Sequence, residues 1–316
     1  MNKEPFVSII VPVVRWNNNL KECIQHCIQL DYPDYEVIVL PDEPFKYHES
    51  SRVEVLPTGA LGPAAKRNIG IREAHGELVA FIDDDTYPAR DWLKNAVSYF
   101  GDETVAAVGG PAVTPPGDDV WQQASGAVYS SFLGGGGYRY RYIPLKKRLV
   151  DDYPSCNFVV RKNVLTEIGG FRTNFWPGED TALCLDIVKK LKQKIIYDPG
   201  VLIYHHRRAL FGPHLAQIQA YACHRGYFAK RFPGTSLKLS YFIPSIFVLF
   251  LILGWIINIY LYFGIIILYL VMAFASVVNL KTYRLKVLTF LGIISTHLVY
   301  GVWFIKGIFS RRLKEE

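Results

Sequence analysis

The C-terminal part of the chain constrains the fold most strongly, because it contains long apolar runs without a charged residue. No Asp, Glu, Lys or Arg occurs from Leu239 to Leu280, and a second uncharged run extends from Val287 to Ile305. A helix needs about 20 apolar residues to cross a bilayer, so these runs suffice for three crossings. We therefore expect hydrophobic helices at 241–261, 263–280 and 287–307; a buried hairpin of a soluble core is the alternative reading.

Basic residues predict the side of the membrane that the rest of the chain occupies. The first apolar run is short, contains Pro12 and lacks a small-residue cleavage site, so it does not resemble a signal peptide. Lysines and arginines flank the long runs at Lys230, Arg231, Lys238, Lys281, Arg284 and Lys286. The positive-inside tendency then predicts an integral membrane protein whose first 232 residues are cytoplasmic. Three crossings would place Arg311, Arg312 and Lys314 outside, so a re-entrant or interfacial third segment stays open.

Strand and helix patterns alternate along the first half of the chain. FVSIIVPVV, YEVIVL, ELVAFI and TVAAVGGPAV are typical of buried strands, and helical spacing occupies residues 20–30, 64–74 and 91–100. Such alternation predicts an α/β fold with a mostly parallel sheet. Ligands of these sheets bind beyond the carboxyl ends of the strands, where Asp42 and the triplet Asp83 to Asp85 follow predicted strands.

The three consecutive carboxylates repel one another unless a cation lies among them. Oxygen ligands of this kind suit Mg²⁺ or Mn²⁺, which commonly bind one or two carboxylates together with substrate phosphates. An acidic, solvated turn in which Asp85 or Thr86 caps the next helix is the alternative interpretation.

Several motifs occur in an order that is typical of one enzyme family. They are VSIIVPVVRWN, IVLPDEP, GPAAKRNIGIREAHGELVAFIDDD, PSCNFVVRKNVLTEIGGF, FWPGED and VLIYHH. Over roughly residues 5–230 the chain resembles glycosyltransferase family 2, whose members are inverting enzymes with the GT-A fold. The resemblance implies a Rossmann-like catalytic domain over 1–232. The last part of this range, about 205–232, is amphipathic, aromatic and basic, so we expect a membrane-surface helix there. An α-helical transmembrane region, 233–316, would follow.

The resemblance also implies roles for particular residues. Donor-binding positions would be Pro12, Asp42, Arg67, Asp83 and Asp84. Asp85 would bind Mn²⁺ or Mg²⁺ together with His205, His206 being the alternative histidine. Asp180 would be the general base, with Glu179 beside it as a second catalytic carboxylate, and Asn157, His224 and Arg225 would contact the acceptor or the diphosphate.

The predicted function is that of a membrane-anchored glycosyltransferase. It would move one sugar from a UDP, GDP or dTDP donor to a lipid-linked or saccharide acceptor near the membrane, in contact with membrane lipids. Processive synthases carry Gln-x-x-Arg-Trp where this chain has Gln219 and Arg225 six residues apart, so transfer of a single sugar is favoured. A polyprenyl-phosphate sugar synthase and a non-catalytic nucleotide-sugar scaffold are the alternatives. The Tyr-Arg interleaving after Gly134 also suits nucleic acid, but nothing else in the sequence does, and no nucleic-acid partner is expected.

Overall fold

The protein is described by a computed structural model that covers residues 4–173, 175, 177–311 and 313. Trp176 of the FWPGED motif, together with Arg312 and Lys314, lies outside the described residues. The chain divides into two compact units, one formed by Met1–Val113 and Ile143–His205, the other by Thr114–Tyr142 and His206–Glu316. This division differs from the boundary predicted at residue 232, because 114–142 and 206–232 pack with the C-terminal helices.

The described strands all belong to the first unit. They are β1 (Val7–Pro12), β2 (Tyr35–Leu40), β3 (Val53–Val55), β4 (Leu78–Ile82), β5 (Thr86–Pro88), β6 (Val105–Gly109), β7 (Ala112–Val113), β8 (Arg148–Val150), β9 (Asn157–Arg161), β10 (Lys194–Tyr197) and β11 (Ile203–His205).

The α-helices are distributed over both units. In chain order they are α1 (Asn18–Cys27), α2 (Pro63–Glu73), α3 (Trp92–Val97), α4 (Val120–Ser130), α5 (Phe132–Gly135), α6 (Lys162–Ile168), α7 (Glu179–Leu185), α8 (Gly212–Arg231), α9 (Pro233–Ser236), α10 (Leu239–Ile257), α11 (Ile259–Ala275) and α12 (Tyr283–Phe309). A 3₁₀ turn covers Gly136–Arg141, and a π turn, Asp186–Lys190, continues α7.

The larger sheet of the first unit is mixed rather than wholly parallel. Its strands, as far as the structure describes them, are ordered β3-β2-β1-β4-β9-β6-β10-β8. The pairs β2–β3, β1–β2, β1–β4 and β6–β10 are parallel, as the alternating pattern predicted. Strand β9 lies antiparallel between β4 and β6, and β8 lies antiparallel to β10. The sequence of a strand does not specify which strand it pairs with, so the antiparallel positions of β8 and β9 were not predicted.

The centre of this sheet is buried on both faces. Every residue of β1 is buried, and so are those of β4 and β6, which explains their continuous apolar sequences. Helix α2 packs directly on β1 at Gly70, where an added Cβ would lie 2.8 Å from the Ile10 side chain. A larger residue at position 70 would therefore push α2 away from the sheet.

The second unit is helical and joins its helices through small residues. Gly226 of α8 packs against the Phe304 backbone of α12, and Gly307 of α12 against that of Cys223. Both positions leave no room for a Cβ, so the two helices touch backbone to backbone. The buried face of α8 therefore lies against α12, a contact that the sequence did not predict.

The apolar runs form helices α10, α11 and α12, close to the three predicted ranges. The first break comes earlier than predicted, because Asn258 is extended and its side chain accepts the N–H groups of Tyr260 and Leu261. It therefore acts as the N-cap of α11. Of the described helices, α10 and α12 are long and apolar enough to cross a membrane, and α11 is shorter.

Candidate functional site

The ends of three parallel strands place the sequence-predicted acids at one edge of the sheet. Pro12 of β1 pairs with Leu40 of β2, and β1 also runs in register with β4. Asp42 follows β2 by two residues and Asp83 follows β4 directly. The two acids consequently lie on the edge at which α/β proteins bind ligands. Pro12 itself is buried within this pairing.

The acidic triplet forms a tight turn that separates its charges. Thr86 donates both its N–H and its hydroxyl to the Asp83 carbonyl oxygen, at 3.2 and 2.7 Å. The three side chains have different partners. Asp83 contacts Arg67, Asp84 contacts Asn17, and Asp85 contacts His205. Each of the three carboxylates therefore has its own polar partner.

Arg67 connects the first acid of the triplet to the second acidic motif. Its Nη2 donates to Asp83 Oδ1 at 2.6 Å, and its Nη1 donates to Glu179 Oε1 at 2.8 Å. Burial lowers the pKa of Arg67, but the charges of Asp83 and Glu179 outweigh burial and raise it overall. The guanidinium therefore remains charged and holds the two motifs together.

The two carboxylates of the Glu179-Asp180 pair have different surroundings. Glu179 is buried, accepts from Arg67 and also accepts from the Gly178 N–H at 3.0 Å. Asp180 is half-buried, and its Oδ1 accepts from the Thr181 N–H at 2.7 Å. Of the two predicted catalytic acids, Asp180 is the more exposed, while Glu179 neutralises a buried cation.

Asp84 is held by a residue that the sequence analysis did not single out. Asn17 donates to Asp84 Oδ2 at 2.8 Å, and its own oxygen caps α1 by accepting from the Leu20 N–H. Burial raises the pKa of Asp84 to about 6, and the charges of Asp85 and Asp83 add to the rise. An Asn before a helix is a recognisable N-cap signal, but its second contact depends on the fold.

Asp85 and His205 approach each other through strand pairing. In the smaller sheet, ordered β5-β11-β7, His205 of β11 pairs antiparallel with Thr86, the neighbour of Asp85. The distance from His205 Nε2 to Asp85 Oδ1 is 3.4 Å, and 39% of the Asp85 side chain is exposed. The other candidate histidine, His206, contacts Asp118 at 2.6 Å.

The chemistry of the Asp85–His205 pair fits a divalent ion such as Mn²⁺, because carboxylate and imidazole are both ligands of that ion. Over the described residues, no group of three or more His, Cys, Asp or Glu side chains is arranged as a metal site. Two protein ligands nevertheless suffice for an ion whose remaining positions are filled by phosphate oxygens and water.

Asp42 has a buried partner, Lys66, that sequence reasoning missed. The Lys66 ammonium donates to Asp42 Oδ1 and to the backbone carbonyl oxygens of Val13 and Leu40. Only 3% of the Lys66 side chain is exposed, against 23% for Asp42. The available signal was a lysine one helical turn before Gly70, on the side of α2 that faces the sheet.

Asn157 lies deep in the unit rather than at an open surface. Its oxygen accepts from Trp92 Nε1 at 2.8 Å, and its amide donates to the carbonyl oxygens of Gly110 and Val201 at 2.6 and 2.8 Å. The side chain is fully buried. This arrangement differs from the predicted contact with acceptor or diphosphate, because the amide is already used in joining strand ends.

His224 and Arg225 belong to the second unit, on α8. His224 Nδ1 lies 2.9 Å from the Ala220 carbonyl oxygen within the helix. Arg225 donates to Ser236 Oγ at 3.2 Å and stacks over the Tyr241 ring at 4.8 Å. Both are half-buried, and their predicted contact with the acceptor or the diphosphate stays a prediction.

The second unit also contains a buried polar network around His214. Its Nδ1 lies 2.8 Å from Ser125 Oγ of α4, and its Nε2 lies 3.0 Å from Thr296 Oγ1 of α12. Burial lowers the pKa of His214 to about 4, so the ring is neutral at physiological pH. The network joins α4, α8 and α12, and none of its residues belongs to the motifs found in the sequence.

Comparison with known sequences relates a large part of the chain to one family. Residues 8–169 match the sequence model of Glycosyl transferase family 2. Pre-mycofactocin glycosyltransferase of Mycobacterium tuberculosis is 30% identical over 179 residues, 56% of this chain and 37% of that relative. Glycosyltransferase AglE of Haloferax volcanii is 27% identical over 190 residues, 56% of this chain and 59% of that relative. The chain thus spans between about a third and three fifths of the length of these curated relatives.

Two solved structures resemble three quarters or more of the chain at low sequence identity. Mannosyltransferase PcManGT from Pyrobaculum calidifontis, solved in complex with GDP-Man and Mn²⁺, superposes with a TM-score of 0.58 at 19% identity, over 98% of this chain and 89% of its own. GalNAc-T7, solved with UDP, GalNAc and Mn²⁺, gives a TM-score of 0.52 at 15% identity. The match covers 75% of this chain and 52% of GalNAc-T7. These likenesses confirm the predicted GT-A fold. The family match covers half of the chain, and the chain therefore belongs to Glycosyl transferase family 2.

Proposed function

We propose that this protein is a membrane-anchored, inverting glycosyltransferase that depends on Mn²⁺ or Mg²⁺. It would transfer one sugar from a nucleotide sugar to a lipid-linked or membrane-proximal acceptor. The main support is that three acids near one edge of the sheet each have a different basic partner. Asp42 lies beside Lys66, Asp83 beside Arg67, and Asp85 beside His205.

The donor would bind along the strand ends. Asp42 accepts an N–H of the nucleobase, and Asp83, fixed by Arg67, accepts from the nucleoside. Asp84 supports the same turn through Asn17. Asp85 and His205 would hold the divalent ion. When bound, that ion supplies Lewis-acid neutralisation of the charge that develops on the diphosphate leaving group.

Asp180 would act as the general base. Its carboxylate takes the proton of the acceptor hydroxyl while that oxygen attacks the anomeric carbon, and the bond from this carbon to the diphosphate oxygen breaks. The products are the glycosylated acceptor, a nucleoside diphosphate and a protonated Asp180. Attack from the side opposite the leaving group inverts the anomeric configuration. Glu179 holds Arg67 in place during this step.

The apolar helices support a membrane location. Many large side chains of α10 and α11 point outward, including Leu239, Ile257 and Tyr260. A soluble protein rarely exposes a continuous apolar surface of that extent, whereas lipid tails would cover it. With the basic residues around these helices, we propose an integral membrane protein with a cytoplasmic catalytic region. Such an anchor would keep the active site near a lipid-linked acceptor.

Nucleoside diphosphate release from a panel of UDP, GDP and dTDP sugars tests the proposal. The full chain is assayed in detergent with Mn²⁺ or Mg²⁺, with and without membrane lipid extract. We expect release from one donor class that increases with lipid and falls about 100-fold or more in Asp180→Asn. Asp186→Asn is the matched control, because Asp186 pairs with Arg172 and lies just beyond α7; it should retain turnover.

The outcomes separate the alternatives. Release that survives Asp180→Asn favours an acceptor that is already anionic, such as polyprenyl phosphate, since its oxygen needs no base. Nucleotide binding without release from any donor favours a non-catalytic scaffold. Release that is insensitive to lipid contradicts the lipid-linked acceptor.

A further inference from the structure

We infer that Lys66 is a positioning residue that makes the nucleotide site selective for uracil or thymine. The inference rests on the proposed role of Asp42 as the contact to the base. Its starting point is the buried ammonium group of Lys66, which lies directly behind the Asp42 carboxylate.

The Lys66 ammonium has no hydrogen left for a ligand. A protonated amine donates three hydrogen bonds, and three acceptors surround this one: the carbonyl oxygens of Val13 and Leu40 and Oδ1 of Asp42. A buried lysine is tolerated only with such partners. Lys66 therefore acts on a bound nucleotide through Asp42.

The backbone around Asp42 is fixed on both sides. Its N–H donates to the Val14 carbonyl oxygen at 3.0 Å, and its own carbonyl accepts from the Gly59 N–H at 3.0 Å. Gly59 has φ of +75°, a conformation that favours glycine. With Lys66 holding Oδ1 from within, Oδ2 remains as the oxygen that the carboxylate presents outward. Val14, which accepts the Asp42 N–H, is 65% exposed, so an exposed apolar residue is hydrogen-bonded to the backbone of Asp42.

A single outward acceptor matches some bases better than others. Uracil and thymine present a single ring N–H between two carbonyl oxygens, which needs one acceptor. Guanine presents two adjacent N–H donors, which a carboxylate satisfies fully only with both oxygens. Cytosine and adenine present a ring nitrogen acceptor at the corresponding position, which a carboxylate repels. The geometry at Asp42 therefore favours uridine and thymidine diphosphates.

Calorimetric titration of the full chain in detergent with UDP, dTDP, GDP and CDP tests this inference. We expect the wild type to bind UDP and dTDP at least about tenfold more tightly than GDP, as expected when a buried polar group would be left unpaired. In Lys66→Met the carboxylate is free to rotate, so the UDP-to-GDP ratio should fall to within about threefold. Lys21→Met removes the same charge from an exposed position of α1 and should keep the wild-type ratio.

Asp42→Asn provides a second test if Lys66→Met does not fold. Lys66 would hold the amide oxygen, which turns the –NH₂ group outward and replaces the acceptor by a donor. This variant should lose at least about tenfold in affinity for UDP and bind CDP as well as UDP or better. An unchanged preference for UDP in either folded variant, or wild-type binding of GDP as tight as that of UDP, overturns the inference. A wild type that binds no nucleotide contradicts the proposed function itself.

Discussion

Two adjacent histidines show how differently the two units use the same side chains. His205, in the first unit, lies 3.4 Å from Asp85, a carboxylate with 39% of its side chain exposed. His206, in the second, lies 2.6 Å from Asp118, whose side chain is only 5% exposed. Burial raises the pKa of Asp118, although His206 opposes the rise. A partly exposed carboxylate at a longer distance from its histidine can accept an ion or ligand. A buried carboxylate at hydrogen-bond distance from its histidine mainly stabilises its surroundings.

The same contrast extends to other polar residues. Asp42 and Asp83 at the strand ends, and Asp180 in the first turn of α7, are each only partly buried, while a neighbour holds one carboxylate oxygen. In the helical unit, His214 is enclosed by hydroxyl groups and apolar packing. Residue type alone does not distinguish the two situations. Solvent accessibility and the number of satisfied hydrogen bonds distinguish a residue that can bind a ligand from one that only stabilises the fold. The variants below test this distinction.

The largest effect is expected when Arg67 is replaced by Met. The change leaves the buried Glu179 carboxylate without its cation and frees Asp83, so the free energy of unfolding should fall by about 3–5 kcal/mol. Chemical unfolding in detergent measures the loss. Arg72→Met, on the exposed side of the same helix, should change it by less than about 0.5 kcal/mol. A small loss in Arg67→Met would show that the two acids do not depend on Arg67.

Asp85→Asn should reduce turnover by about 10²–10³-fold with little loss of stability, because it removes the proposed metal ligand from a partly exposed position. Asp118→Asn is the matched control. Its turnover, expressed per folded protein, should stay within about threefold of the wild-type turnover. Initial rates at saturating Mn²⁺ decide between them. Equal losses in the two variants would contradict the distinction between the partly exposed and the buried carboxylate.

His214→Gln should change how stability depends on pH. The folded pKa, about 4, lies below the ordinary value of 6.5, so the unfolded state binds more protons between these values. The wild type should therefore lose stability as pH falls from about 6.5 to 4, by up to about 2–3 kcal/mol. The variant should lack this component. Unfolding in detergent at pH 7 and pH 5 measures the difference, and identical slopes in both proteins would refute it.

His205→Gln and His206→Gln form the finest comparison, because they differ by one position. Loss of His205 should raise the Mn²⁺ concentration for half-maximal activity by about tenfold, in the range typical of a changed metal environment. Loss of His206 should leave that concentration unchanged, since its partner is Asp118. A metal titration of initial rates is the measurement. A larger shift in His206→Gln would reverse the assignment of the two histidines.

Sequence reasoning recovered the strands better than their arrangement. The strands that end near Asp42 and Asp83 were predicted because their apolar runs are continuous and polar turns follow them. The antiparallel insertion of β9 was not predicted, because strand pairing depends on contacts far apart in the chain. Asn157 illustrates the consequence for sites: its motif suggested a ligand contact, and the pairing of β9 buries it.

The sequence by itself determined the family, the acidic motifs and the three apolar helices. The motifs and helices depend on residues close together in the chain, and the family depends on the order of those motifs along it. Tertiary structure decided what each polar group contacts. The pairing of Lys66 with Asp42, of Arg67 with Asp83 and Glu179, and of His205 with Asp85 joins segments between 16 and 120 residues apart. Such contacts follow from sheet register and helix packing, which no local pattern encodes, and they separate an accessible acid from one that only neutralises a buried cation.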